Sequence, residues 1–299
     1  MKYAVIGSGA IGCYYGSKLA KAGNEVHFLF HSDYEYVKKN GLQINSYLGD
    51  FHLDNVLAYN KTADMPQVDV VIVGLKTVNN HLLPTLLPPL LTKDTIVLLI
   101  QNGVGVEQDV QQMFPDTQLA AGLAFIASSK TEPGVVNHVF FGGINIGNYS
   151  VKDEIKFSDM LREFEMAEIS VNNVEYNEAR WRKAVWNMPF NGMTVANNSL
   201  TNNLLANPET KDLIYRQMLE VIHAAWACGV TAIKEDFADT MMQSTLDMVP
   251  YAPSMKLDYD FGRKMEIKYL YSRPIEIAKE HGFDMVLMKE LEAKLMALS

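Results

Sequence analysis

The segment WRKAVWNMPFN at positions 181–191 sets one lysine and two asparagines at intervals of four: Lys183, Asn187 and Asn191. Residues four apart in a helix lie one above the other on a single face. An ammonium and two carboxamides would therefore form a common stripe, although Pro189 and Gly192 should bend the helix near Asn191. Trp181, Val185 and Trp186 flank the lysine. Partial desolvation by such neighbours lowers a lysine pKa toward neutrality, where the group can give a proton and take it back. The plainer alternative is a surface amphipathic helix whose lysine snorkels to water, and spacing alone favours that alternative. Ser254 and Glu266 lie further on, with Glu266 expected to open a helix. Cap and first-turn chemistry is the ordinary explanation of both.

A second constellation stands at the start of the chain. Gly7-Ser8-Gly9-Ala10-Ile11-Gly12 is a G-x-G-x-x-G run that follows a predicted strand and opens a predicted helix. Gly7 permits the tight turn, Gly9 lets backbone approach a pyrophosphate, and Gly12 lets the helix pack close to the strand. The free N–H groups of the helix start, at Ser8, Ala10 and Ile11 as well as the glycines, suit an anion. Proteins that bind NAD usually place an acid at the end of the second strand, on the ribose 2′-OH. Here that end reads Phe30-His31-Ser32, and the first acids, Asp33 and Glu35, come later. A 2′-phosphate would not be repelled, and His31 and Ser32 could contact it, which points to NADPH; as exposed loop residues they would do neither. Two further strand ends carry Lys76 and Asn102, a cation and a donor–acceptor pair suited to phosphate, ribose or carboxamide. Each is also an ordinary turn residue.

Those residues need a frame. Short apolar runs at 2–7, 25–30, 68–74, 95–100 and 119–125 alternate with helical stretches, the pattern of a doubly wound α/β domain with a Rossmann-type sheet. A small hairpin is expected at 43–45 and 51–53, and two β runs at 135–141 and 144–146. From residue 178 the chain reads as helices at 181–195, 208–227, 237–246, 265–280 and 285–298, with Pro274 kinking the fourth. The expected division is 1–170 for the dinucleotide and 171–299 for an all-α substrate domain.

Composition narrows the function classes. The chain has 299 residues, 48% hydrophobic and 20% charged, a globular balance. With 26 basic and 35 acidic residues the formal charge is −9, which disfavours nucleic acid as a partner. Cys13 and Cys228 make no disulfide framework, which suits a reducing compartment. No export signal or membrane-spanning run is evident, so a cytoplasmic protein starting at Met1 is expected. No metal-ligand spacing stands out.

Taken together and in this order, these marks resemble the ketopantoate reductase (2-dehydropantoate 2-reductase) family, within the 6-phosphogluconate-dehydrogenase-like oxidoreductases. The marks are GSGAIG at 7–12, the strand running into Lys76, Gln101-Asn102-Gly103, Pro133-Gly134 with His138, the 181–191 segment, Pro253-Ser254-Met255 and Glu266. The resemblance implies an NADP-dependent reduction of a 2-keto acid, most simply ketopantoate to pantoate on the route to pantothenate and coenzyme A. It implies Lys183 as general acid and Glu266 as the carboxylate that orients it and holds the substrate hydroxyl. Asn187, Asn191 and Ser254 would hold the substrate, and Lys76 and Asn102 would serve the cofactor side. The family commonly has Arg where His31 stands, often Asn-Gly where Tyr271-Ser272 stand, and a proline missing from 283–286. The altered Tyr271-Ser272 region keeps open another keto acid, an opine or a phospho-sugar. A non-catalytic NADP-binding regulatory protein is the remaining alternative. A homodimer is compatible with all of these.

Overall fold

A computed structural model describes residues 1–299 and divides them into two units: 1–101 with 107–176, and 102–106 with 177–299. The first unit therefore extends past position 170, and the five-residue loop 102–106, after the strand Ile96–Ile100, counts with the helical unit.

The first unit is a 10-stranded sheet. Its strands in chain order are β1 (Lys2–Ile6), β2 (Glu25–Leu29), β3 (Leu42–Ser46), β4 (Phe51–Leu53), β5 (Leu57–Tyr59), β6 (Val70–Val73), β7 (Ile96–Ile100), β8 (Gln118–Glu132), β9 (Val135–Asn148) and β10 (Val171–Asn173). Six of them, in the order β5-β2-β1-β6-β7-β8, are parallel. That is the doubly wound dinucleotide-binding order, with its switch point beside β1. All of β6 and β7 is buried, as strands covered on both faces must be. Helix α1 (Ala10–Lys21) packs its apolar residues into a core around Tyr3, Val5, Tyr15, Phe28 and Ile72. Helices α2 (Tyr34–Asn40), α3 (Leu83–Leu86), α4 (Val106–Met113) and α5 (Glu154–Met166) complete the connections.

β8 and β9 are longer than the sequence pattern suggests. They form one antiparallel pair, and the break expected at Gly142-Gly143 is a bulge within a single strand. Phe125 pairs with Gly143 and Ile126 with Phe141, which leaves Gly142 as the extra residue at φ 121°. A glycine there lets the strand take the bend without ending. The expected hairpin of β3 and β4 is present, and β3 joins the outer edge of β9.

The second unit contains α6 (Tyr176–Ala196) apart from its first residue, α7 (Thr201–Ala206), α8 (Pro208–Ala227), α9 (Asp236–Leu246), α10 (Ser254–Asp260), α11 (Arg273–Glu280) and α12 (Val286–Ala297). Its core joins Trp181, Met188, Phe190, Met218, Met255, Met288 and Leu291, a methionine-rich helix packing. Helix α6 continues through Pro189 rather than breaking there. Proline removes one i→i−4 bond, and side chains bond the carbonyls beside it: Asn191 Nδ2 donates to Asn187 O at 3.0 Å and Tyr271 Oη to Met188 O at 2.6 Å. The helix expected at 265–280 begins instead as a π-helical turn, Lys268–Ser272, and Pro274 sits in the first turn of α11. The helical run is continuous from 267 to 280, with the π-helical turn directly before Pro274. Glu266 precedes this helix. No helix is long and apolar enough to cross a membrane.

Candidate active site

In the helical unit, Lys183 and Asn187 occupy successive turns of one face of α6. The ammonium of Lys183 donates to Asn102 Oδ1 at 3.0 Å. Asn102 reaches it from the loop after β7, whose own shape is set by close contact: Gly103 has φ 107°, and a Cβ there would meet Tyr269 O at 2.3 Å. Val104 N–H donates to that same carbonyl at 3.0 Å. The lysine retains some exposure as a whole residue, but its ammonium is surrounded by protein. Burial holds its pKa at about 7, the nearby cation of Arg180 adds to that lowering, and the carboxylate of Glu266 opposes it. Arg180 and Glu266 are both buried, at 3% and 6% exposure. Arg180 was not among the residues singled out from sequence, although its place three residues before Lys183 puts it on the same helical face.

The three residues expected to hold substrate differ. The Asn187 side chain is partly exposed and carries none of the hydrogen bonds that tie Asn191. Ser254 is exposed at the first position of α10, and its hydroxyl does not cap that helix, whose N-cap is Pro253. Asn191 is 2% exposed, and its oxygen accepts the Met255 N–H at 3.0 Å. Asn191 thus fixes the start of α10 beside Ser254. Tyr271 is also in the core, 0% exposed, bonded to Met188 O and against Gly192. Ser272 Oγ donates to Glu292. Tyr271 thus fills the interior of the helical unit.

In the sheet unit the glycine turn has the expected geometry. Gly7 has φ 89°, and a Cβ there would stand 2.4 Å from Leu75 N. A Cβ at Gly12 would meet Gly7 O at 2.3 Å. Gly9 has neither constraint: its φ is ordinary and a Cβ would meet nothing within 4 Å. The protein gives no internal reason for glycine at this position, whereas a dinucleotide phosphate approaching the backbone does. The first turn of α1 carries no acid, and no side chain caps it, so its N–H groups suit an anion. These features fit a nicotinamide dinucleotide. Ser8 is tied down, its Oγ donating to Leu29 O at 2.7 Å. His31 and Ser32 are exposed, with Ser32 Oγ donating to Asp33 Oδ1 at 2.9 Å. Lys76 is exposed at the start of the turn after β6. Behind it Gln101 Nε2 donates to Leu75 O at 2.7 Å and to Asn80 Oδ1 at 2.6 Å, a buried lock between two strand ends that the sequence reading missed.

A doubly wound dinucleotide-binding unit with a helical unit carrying a depressed lysine defines an oxidoreductase of the nicotinamide class. The ketopantoate reductase PanE/ApbA profile matches residues 3–150, and the ketopantoate reductase PanE/ApbA C-terminal profile matches residues 175–298. The chain belongs to the ketopantoate reductase family. It is 42% identical over 292 residues to a 2-dehydropantoate 2-reductase of Nostoc sp. (strain PCC 7120 / SAG 25.82 / UTEX 2576), covering 95% of this chain and 91% of the relative. A crystal structure of 2-dehydropantoate 2-reductase from Geobacter metallireducens GS-15 matches with TM-score 0.96 and 34% identity over 100% of both chains. At 20% identity and TM-score 0.90, over 100% of this chain and 98% of the other, it also shares its fold with a D-mandelate dehydrogenase solved with NADH and anilino(oxo)acetate.

Proposed function

We propose that the protein reduces 2-dehydropantoate (ketopantoate) to pantoate with NADPH, as a cytoplasmic enzyme of pantothenate biosynthesis. The observation that carries the reading is Lys183: an ammonium with a pKa of about 7, hydrogen-bonded to Asn102 and opposed by Glu266. A nicotinamide held at the glycine turn would supply the hydride for the carbonyl carbon of a 2-keto acid. The oxygen then gains negative charge, and Lys183 gives it the proton that completes the alcohol. With a pKa near neutrality the lysine is acidic enough to donate and basic enough to recover its proton from water. Asn102 holds the ammonium in place, and Glu266 keeps it from losing its proton too early. Asn187, Asn191 and Ser254 are the groups that hold the substrate carboxylate and hydroxyl. Gly7 to Gly12 hold the pyrophosphate, and Lys76, His31 and Ser32 lie on the cofactor side. A homodimer is part of this reading and is checked by sedimentation.

The test follows NADPH oxidation by purified protein over a panel of 2-keto acids that includes ketopantoate and aryl-substituted members. The highest kcat/KM is expected for ketopantoate. A higher value for another keto acid would reassign the substrate, and NADPH binding without turnover on any would discard the enzymatic reading.

A further inference from the structure

A titratable cluster lies against the glycine turn of the cofactor unit. Lys130, near the far end of β8, donates from Nζ to Ser8 O at 2.7 Å and pairs with Asp33 Oδ2 at 2.5 Å. Its ammonium also lies 5.3 Å from the centre of the Phe30 ring. Ser8 belongs to the glycine turn, and Phe30 to Asp33 immediately follow β2. In dinucleotide folds those two strand ends bracket the adenosine ribose. One ammonium therefore joins both arms of the ribose cradle, and 17% of its side chain stays accessible.

The charges around it decide between the two dinucleotides. A protein that reads a ribose 2′-OH needs a carboxylate free to accept from it. Asp33 is already engaged on both oxygens. Oδ1 accepts from Ser32 at 2.9 Å, and Oδ2 accepts from Gly134 N–H at 3.2 Å as well as from Lys130. An ammonium has three donors and no acceptor. Two of those of Lys130 go to Ser8 and Asp33, and the third remains for an oxygen of a ligand.

We propose that Lys130 reads the 2′-phosphate of the cofactor, and that Asp33 and the Ser8 carbonyl hold its ammonium at that position. The inference rests on the NADPH reading above. Lys130 comes from a strand far from the fingerprint in sequence, so the specificity determinant is not at the end of β2 where it is usually sought. Because Asp33 offsets part of its charge, the discrimination it provides is that of one charge-assisted hydrogen bond, about ten- to a hundredfold.

Calorimetric titration of the full chain with NADPH, NADH, 2′,5′-ADP and ADP tests this. Lys130→Met should weaken NADPH and 2′,5′-ADP about ten- to a hundredfold and leave NADH and ADP within about twofold. Lys130→Arg should keep most of the preference. The double variant Asp33→Asn with Lys130→Met separates direct contact from exposure of a repelling carboxylate, and it should stay weak toward 2′,5′-ADP. Recovery in the double variant, or an unchanged preference in Lys130→Met, overturns the role of Lys130 while the NADPH reading stands. A wild-type protein that binds 2′,5′-ADP no better than ADP overturns both. Circular dichroism melting of each variant identifies any loss that comes from unfolding.

Discussion

The sheet unit and the helical unit prepare their chemistry in opposite ways. The sheet unit presents backbone: N–H groups at the start of α1, a turn with Gly7 at φ 89°, and an open approach over Gly9. Nearly all of that cradle comes from six consecutive residues. The helical unit presents side chains drawn from distant positions, with Asn102, Arg180 and Glu266 acting on the ammonium of Lys183. Backbone groups bind an anion wherever a strand turns into a helix, because the peptide supplies the donors. A proton donor at neutral pH requires desolvation and selected neighbours, which only packing can bring together.

Removing the lysine strains that contrast most. Lys183→Met should lower kcat about a hundred- to ten-thousandfold while NADPH still binds, measured by steady-state kinetics and fluorescence titration. It should also stabilise the fold, because the native state disfavours the charged form of a lysine whose pKa lies near 7. That penalty is full below pH 7 and fades as pH rises toward the ordinary lysine range, so the gain in Tm should be larger at pH 6 than at pH 9. In the native enzyme, kcat/KM for keto acid reduction should fall as pH rises through about 7, where the lysine loses its acidic proton.

The glycines separate folding from binding inside the sheet unit. Gly7→Ala places a Cβ 2.4 Å from Leu75 N at positive φ, and it should lower stability by about 2–4 kcal/mol in denaturant titration. Gly9→Ala meets nothing within 4 Å. Its Tm should stay within about 2 °C of the parent while NADPH affinity falls about tenfold or more. Equal stability losses in both would remove the ligand-based reason for Gly9.

Asn102→Ala tests the support of the lysine. Losing an acceptor for the ammonium should move the alkaline limb of the pH profile to lower pH and reduce kcat/KM about tenfold, while Lys183 remains. The smallest effect is expected far from both sites. Glu220 on α8 accepts the N–H groups of Leu287 at 2.9 Å and Met288 at 2.8 Å, acting as a cap for α12 from another helix. Glu220→Ala should cost about 1 kcal/mol in thermal unfolding and leave kcat unchanged.

Much of this was legible in the chain, for identifiable reasons. The parallel strands announce themselves because β6 and β7 are buried on both faces and so are continuously apolar. The 183/187 pair is readable because helical periodicity is local. At Asn191 the same spacing cannot show that the side-chain oxygen accepts from Met255, 64 residues away. Tyr271 looked like a change in the pocket, but it fills the helical core and bonds α6 near Pro189. The full length of β8 was hidden because the apolar pattern fades after Phe125, where the bulge and the partner strand carry the pairing.

By itself the sequence determined the dinucleotide turn, the alternation that builds a doubly wound sheet, the change to helices, and a lysine in an apolar setting. Each depends on residues adjacent or one helical turn apart, where backbone geometry dictates the neighbours. Only the tertiary structure decided that Asn102 reaches Lys183, that Arg180 and Glu266 set opposing fields on it, that Asn191 holds a helix start, and that Lys130 stands on Ser8 and Asp33. Those contacts join positions remote in the chain, and the burial that gives them their strength exists only once the core has closed.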